Sequence, residues 1–134
     1  MTAEFVLAPE LTRDCIEVTD WPLCKVLLMN DSQYPWFILV PRKMGLKENI
    51  DLSEADQLLL MQESAKLSRL LQDVFSPDKL NVAALGNMVP QLHIHHIARY
   101  KTDAAWPAPV WGKNPAKPYS SEQLAQLKAV FNHS

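Results

Sequence analysis

Two cysteines in 134 residues, Cys15 and Cys24, are too few for a disulfide-stapled secreted domain. Both sit among apolar neighbours and read as free, packed thiols of a reducing compartment. Missing as well is any apolar stretch long enough to cross a bilayer. The first residues, Met1-Thr2-Ala3-Glu4-Phe5, carry no basic region ahead of an apolar run, so they lack the pattern of a signal peptide. Nor is there a basic surplus: 13 Lys and Arg against 15 Asp and Glu give a net charge of -2. That balance removes the electrostatic footprint of a nucleic-acid binder. It leaves open a small phosphate ligand, which needs local charge only. What remains is a soluble composition, 48% hydrophobic and 21% charged, long enough to bury a core in one domain. The expectation is a cytoplasmic protein, with no membrane and no nucleic acid as partner, folded as a single domain over 1–134.

Periodicity and turn signals give the order of elements. Residues 5–13 form a short arm with one helical turn. Strands are predicted at 15–18, 23–29 and 36–40, separated by a turn at 19–22 and a polar loop at 30–35. Proline fixes its own φ and restricts the residue before it, so Pro22 and Pro41 act as stops. The clearest helix is 51–75. Asp51 or Ser53 caps it, Glu54 and Asp56 complement its dipole, and Leu52, Ala55, Leu58, Leu59, Gln62, Ala65 and Leu70 make an apolar stripe. Strands follow at 79–85 and 91–97, joined by a turn through Gly86-Asn87-Met88-Val89-Pro90. Residues 99–119 hold four of the ten prolines and two of the four tryptophans, which predicts an ordered but irregular segment. Its expected role is packing, a lid over a substrate being the sharper alternative. A C-terminal helix is expected within 120–132. This order predicts an α+β fold, about five strands in a mostly antiparallel sheet with helices on one side.

Three of the four histidines fall at 93, 95 and 96. Side chains alternate on a strand, so Gln91, His93 and His95 share one face, and Leu92, Ile94 and His96 the other. Leu92 and Ile94 mark the core side and set His96 aside as a packed histidine. A polar row spaced by about 7 Å is costly unless it serves a site or is solvated. One imidazole nitrogen can attack phosphorus while the other is held by a carbonyl. A second histidine can donate to a phosphate oxygen or protonate a leaving group. The turn at 86–89 can aim amides and Asn87 at the same phosphate. The same pair could instead bind zinc, although a closed site needs about four ligands, the cysteines are remote in sequence and His133 lies in the tail. A merely exposed strand is the third reading. Spacing alone leaves these open.

The run Gln91-Leu92-His93-Ile94-His95-His96-Ile97-Ala98-Arg99 resembles the signature of the histidine triad (HIT) family. The resemblance extends to Asn30-Asp31, to Trp36-Phe37-Ile38-Leu39-Val40-Pro41-Arg42-Lys43, and to Asn81 with Gly86-Asn87-Met88-Val89, in the right order over residues 14–99. It implies an α+β homodimer that cleaves at the α-phosphate of a nucleoside phosphoramidate or dinucleoside polyphosphate. On this resemblance His93 is the nucleophile that forms a nucleotidyl intermediate, and His95 contacts phosphate. Gln91 stands at the first triad position, and Asn81, Asn87 and Val89 lie around the phosphate. Asn30 or Asp31 takes the ribose hydroxyls. No cofactor is required and no bound metal is implied, although a divalent cation such as Mg would suit polyphosphate substrates. Two positions depart from the pattern. Gln91 replaces the first histidine, and Trp36 replaces a further histidine on the Leu-Val-Pro strand. A binder of purine nucleotides without turnover, and a histidine metal protein, are the alternatives.

Overall fold

The computed structural model describes residues 4–132. Helix α1 (Pro9–Asp14) leads into strands β1 (Cys15–Asp20), β2 (Cys24–Met29) and β3 (Trp36–Pro41). Helix α2 (Glu54–Phe75) precedes β4 (Lys79–Ala83) and β5 (Ile94–Arg99), and α3 (Ser121–Ala129) follows. The five strands form one sheet in the order β1-β2-β3-β5-β4, and every neighbouring pair is antiparallel. The α+β class and the strand count agree with the sequence reading.

The boundaries differ where local geometry overrides pattern. Strand β1 runs on to Asp20 because a register irregularity between Glu17 and Thr19 lets it keep pairing with β2. A bulge of this kind adds a residue without ending the ladder. Ser53 is the cap of α2: its hydroxyl accepts from the Asp56 amide at 3.2 Å, while Asp51 closes a separate 3-10 turn at Asn49–Asp51. Ser120 caps α3 in a reciprocal box with Gln123.

Alternation along β3 divides the core. Phe37 and Leu39 enter a cluster with Val26, Leu28, Leu67 and Leu71, covered by α2 and α3. Trp36, Ile38 and Val40 enter a second cluster with Leu27, Ile97 and Leu11 of α1, covered also by Ala105 and Val110. Both faces are therefore covered, whereas helices on one side were expected. The reason is that the short helix α1 and the irregular segment bury enough apolar surface to close the second face.

The inward face of α2 carries Leu60, Glu63, Leu67 and Leu71, so the predicted stripe is out of phase. Leu58 lies on the solvent side, 64% exposed. Leucine is so common along this helix that several phases fit, and the true one includes an acid. Glu63 belongs inside because its carboxylate accepts the Leu23 and Cys24 amides, each at 2.9 Å, which satisfies donors at the start of β2.

Strand β5 is shorter than predicted at its start. Gln91, Leu92 and His93 precede the ladder, and the Leu92 amide donates to the Leu46 carbonyl instead. Residues 100–119 contain neither helix nor strand, as expected. Buried Arg99 organises their first half. Its guanidinium donates to Asp103 at 2.8 and 3.1 Å, to Asn81 Oδ1 at 2.8 Å and to the Ala108 carbonyl at 2.8 Å. Burial pushes the Asp103 carboxyl up, but Arg99 and the amides of Tyr100, Ala105 and Trp106 win and hold it at about 2. Cys15 and Cys24 are free thiols. Burial raises both above the ordinary thiol range, which makes them poor nucleophiles.

Candidate active site

The turn after β4 returns the chain to the sheet just before β5. It requires Gly86, whose φ of +73° lies where side-chain-bearing residues are strained. The turn and the start of β5 wall a cavity of about 260 Å³. His93, His95, Asn87 and Val89 line it together, along with Met29, Trp111 and two acids from α1, Glu10 and Asp14. Four of the predicted site residues thus meet in one place.

Strand alternation separates the histidines as expected. His95 pairs with Ile38 on the second-cluster face, while His96 pairs with Phe37 on the other. The His93 and His95 rings are 4.9 Å apart, nearly edge to face. His93 is 7% and His95 4% exposed, which excludes the exposed-strand reading.

Each ring has one nitrogen committed. His93 Nδ1 lies 2.7 Å from the Gln91 carbonyl oxygen. A carbonyl only accepts, so Nδ1 carries the proton and Nε2 keeps a free lone pair. His95 Nδ1 lies 3.0 Å from the indole Nε1 of Trp36, a donor. Burial, with His93 and His96 close by, pushes His95 down to about 3. His96 donates from Nδ1 to the Ile94 carbonyl at 3.1 Å, and its Nε2 meets the Ser64 hydroxyl at 2.7 Å. Burial lowers it to about 4, partly opposed by the Ile94 bond. It is a core histidine with both nitrogens satisfied.

The other predicted residues sit elsewhere. The Gln91 side chain turns away from the cavity and pins the N-terminal arm: Oε1 accepts from the Ala8 amide at 2.8 Å and Nε2 donates to the Val6 carbonyl at 2.9 Å. Its backbone carbonyl, not its amide group, serves the site. Asn81 holds Arg99. Asn30 Oδ1 accepts from the Tyr119 amide at 2.9 Å, and buried Asp31 accepts from the Gln33 and Lys117 amides at 3.1 and 3.3 Å. Both line an adjoining cavity of about 430 Å³ with Arg13 and Asn114 rather than the histidine cavity. They anchor the far end of the irregular segment.

That segment supplies what sequence reasoning assigned mainly to packing. Trp111 stands edge-on to His95 at 5.1 Å and to Trp36 at 5.9 Å, so it is a wall of the site. Met29, at the end of β2, is another. Glu10 and Asp14 carried no signal, because an acid on a six-residue helix looks like any surface charge. Among the described residues, no group of three or more His, Cys, Asp or Glu is placed to hold a metal ion; His133 lies outside the described residues.

The HIT domain model matches residues 11–102, and no curated protein matches the chain. Among solved structures, a histidine triad protein from Marinobacter aquaeolei VT8 is 51% identical, with 97% of this chain and 95% of that one covered and a TM-score of 0.94. One from Bradyrhizobium japonicum is 44% identical, with 96% of each chain covered and a TM-score of 0.94. A hypothetical histidine triad nucleotide-binding protein from Sulfolobus tokodaii strain7 shares the fold at 18% identity, with 90% and 84% covered and a TM-score of 0.60. The open antiparallel sheet, the histidine strand and these likenesses agree: the chain belongs to the HIT domain family.

Proposed function

We propose that this protein is a nucleotidyl hydrolase that cleaves at the α-phosphate of a nucleoside phosphoramidate, with His93 as nucleophile. HIT domain proteins are often nucleotide hydrolases, although some are not catalytic. The observation that carries the reading is the 2.7 Å bond between His93 Nδ1 and the Gln91 carbonyl, which leaves Nε2 lone-paired in a ring lining the cavity beside His95.

In the first step a bond forms from His93 Nε2 to phosphorus as the P–N bond breaks. The electron pair leaves with the amine, which takes a proton from water. Nδ1–H stays on the Gln91 carbonyl and shares the positive charge of the new nucleotidyl-imidazolium. Asn87 and the turn carrying it face the phosphate. In the second step water adds to phosphorus, the P–Nε2 bond breaks with its electron pair returning to His93, and a proton passes to solvent. Both steps run on groups of this chain and water.

The cavity's charge favours the phosphoramidate over the dinucleoside polyphosphate. Glu10 and Asp14 line it, Asp14 paired with Arg13 outside at 2.9 Å, and no Lys or Arg lines it among the described residues. An amine leaving group suits that field, and a polyphosphate chain does not. We further propose that the protein acts in the cytoplasm and as a homodimer, joined along the free edge of β4. There Val82, Leu60 and Met61 border an apolar groove of about 400 Å³ on α2.

The test is turnover of adenosine phosphoramidate by wild type and His93→Ala, with intact-mass detection of an acid-trapped nucleotidyl adduct. The expected result is an adduct on wild type only. Activity should fall at least about a thousandfold in the variant, with AMP binding largely kept. AMP binding by wild type without adduct or turnover would assign the protein to nucleotide binding alone. Full activity in His93→Ala would refute the mechanism.

A further inference from the structure

We infer that Trp36 is a positioning residue that confines His95 to one role, a neutral Nε2–H donor to the phosphate, and bars it from acting as the acid that protonates the leaving group. The role rests on the reading of His93 as nucleophile; the protonation state rests on the structure of the free protein.

Indole Nε1–H only donates, and it reaches His95 Nδ1 at 3.0 Å. Nδ1 must therefore accept, so the proton of the neutral ring is on Nε2. Protonating Nδ1 would set two N–H groups head to head in a buried contact, with Trp36 6% and His95 4% exposed. Trp36 cannot yield easily. It lies on β3 two residues from Ile38, the partner of His95, and so on the same face, and its ring is wedged edge-on against Tyr34 and Trp111. Trp111 covers His95 from the irregular segment at 5.1 Å.

The charged and titratable groups around His95 divide by element. Beside it are His96 on β5 and His93 just before that strand, and α1 contributes Glu10 and Asp14 to the cavity wall. From β3 and from the irregular segment it is faced by the uncharged indoles of Trp36 and Trp111. Glu10 would favour an imidazolium, and Asp14 less so because Arg13 of α1 pairs with it at 2.9 Å; burial, the neighbouring histidines and the indole N–H oppose it. The single N–H of that neutral ring is spent on the phosphate oxygen, so it is not free to follow the leaving nitrogen. His95 therefore stabilises charge on the phosphate oxygen in both steps, and water delivers the leaving-group proton.

The test is nitrogen NMR of the histidine rings in the substrate-free protein, followed by kinetics of Trp36→Phe. Wild-type His95 should show a pyridine-like Nδ1 and a protonated Nε2, unchanged between about pH 8 and about pH 5. In Trp36→Phe the Nδ1 resonance should shift and His95 should begin to titrate at higher pH. The kcat should drop about tenfold to a hundredfold, with a smaller change in KM and a new acid limb in its pH profile. A wild-type Nδ1 that is protonated, or a His95 that titrates in that range, overturns the inference even if the variant fails to fold. So does a folded Trp36→Phe with unchanged spectra. Expected spectra in a protein that turns over no phosphoramidate would uphold the Trp36 lock on His95 and refute the proposed function instead.

Discussion

Acidification should unfold this protein earlier than its carboxylates alone would cause. His95 and His96 are both buried neutral, with burial lowering them to about 3 and about 4. An unfolded histidine titrates near 6.5. A folded value below the unfolded one means that the unfolded chain binds more protons in between. The contribution to stability is therefore complete above the unfolded value and is lost as pH falls toward the folded one. Between about pH 8 and about pH 5 each histidine should cost about 2 kcal/mol, so the pair costs about 4 kcal/mol. That is a large part of an ordinary domain's stability of about 5–15 kcal/mol. The depressed carboxylates Asp14, Asp51 and Asp103 add to the loss only at lower pH. The assay is urea unfolding across this range at one protein concentration, with the wild type compared to His96→Gln, which keeps a hydrogen-bonding amide opposite Ser64. The variant should start less stable but lose only about half as much on acidification. A wild-type loss under about 1 kcal/mol would show that the two rings are not neutral in the folded state, and the reasoning from burial would fail.

Two further outcomes follow from side chains on opposite sides of the site. Gln91→Ala removes two hydrogen bonds to the arm and should cost about 1–2 kcal/mol. Because the carbonyl under His93 is unchanged, kcat should hold while KM rises; a large fall in kcat at constant stability would make the amide a participant in the chemistry. Met61→Asp places a charge on the exposed apolar border of the α2 groove and should convert a dimer to monomers in light scattering, whereas a variant that stays dimeric would move the interface elsewhere.

Much of the site was legible because it depends on local geometry. Period-two alternation picks His93 with His95 and rejects His96, and the Gly86 turn brings Asn87 and Val89 to the same cavity. The parts that were not legible depend on contacts distant along the chain. Gln91 sits in the histidine run, yet its partners lie at Val6 and Ala8. Asn30 and Asp31 look like polar loop residues free for a ligand, until Tyr119 and Lys117 take them. Trp36 is marked in the sequence only as a departure from a family histidine, and nothing local reveals that its one polar atom meets His95. The phase of α2 failed for another reason: its buried face includes Glu63, and a hydropathy stripe discounts a carboxylate whose two amide donors lie about 40 residues earlier.

The irregular segment is fastened by hydrogen bonds at both ends, and its middle packs on the sheet through Val110 and Trp111. Arg99 and Asp103 rivet its start, and Asn30 and Asp31 fasten its finish. None of those four lines the histidine cavity, whereas Trp111, between them, does. Reactivity and selectivity are therefore carried by separable parts. The run leading into β5 holds His93, the proposed nucleophile, while the irregular segment shapes what may approach it. Exchanging residues 107–114 between relatives that keep Trp111 should retune substrate choice while the histidine strand, and the chemistry proposed for it, stays as it is.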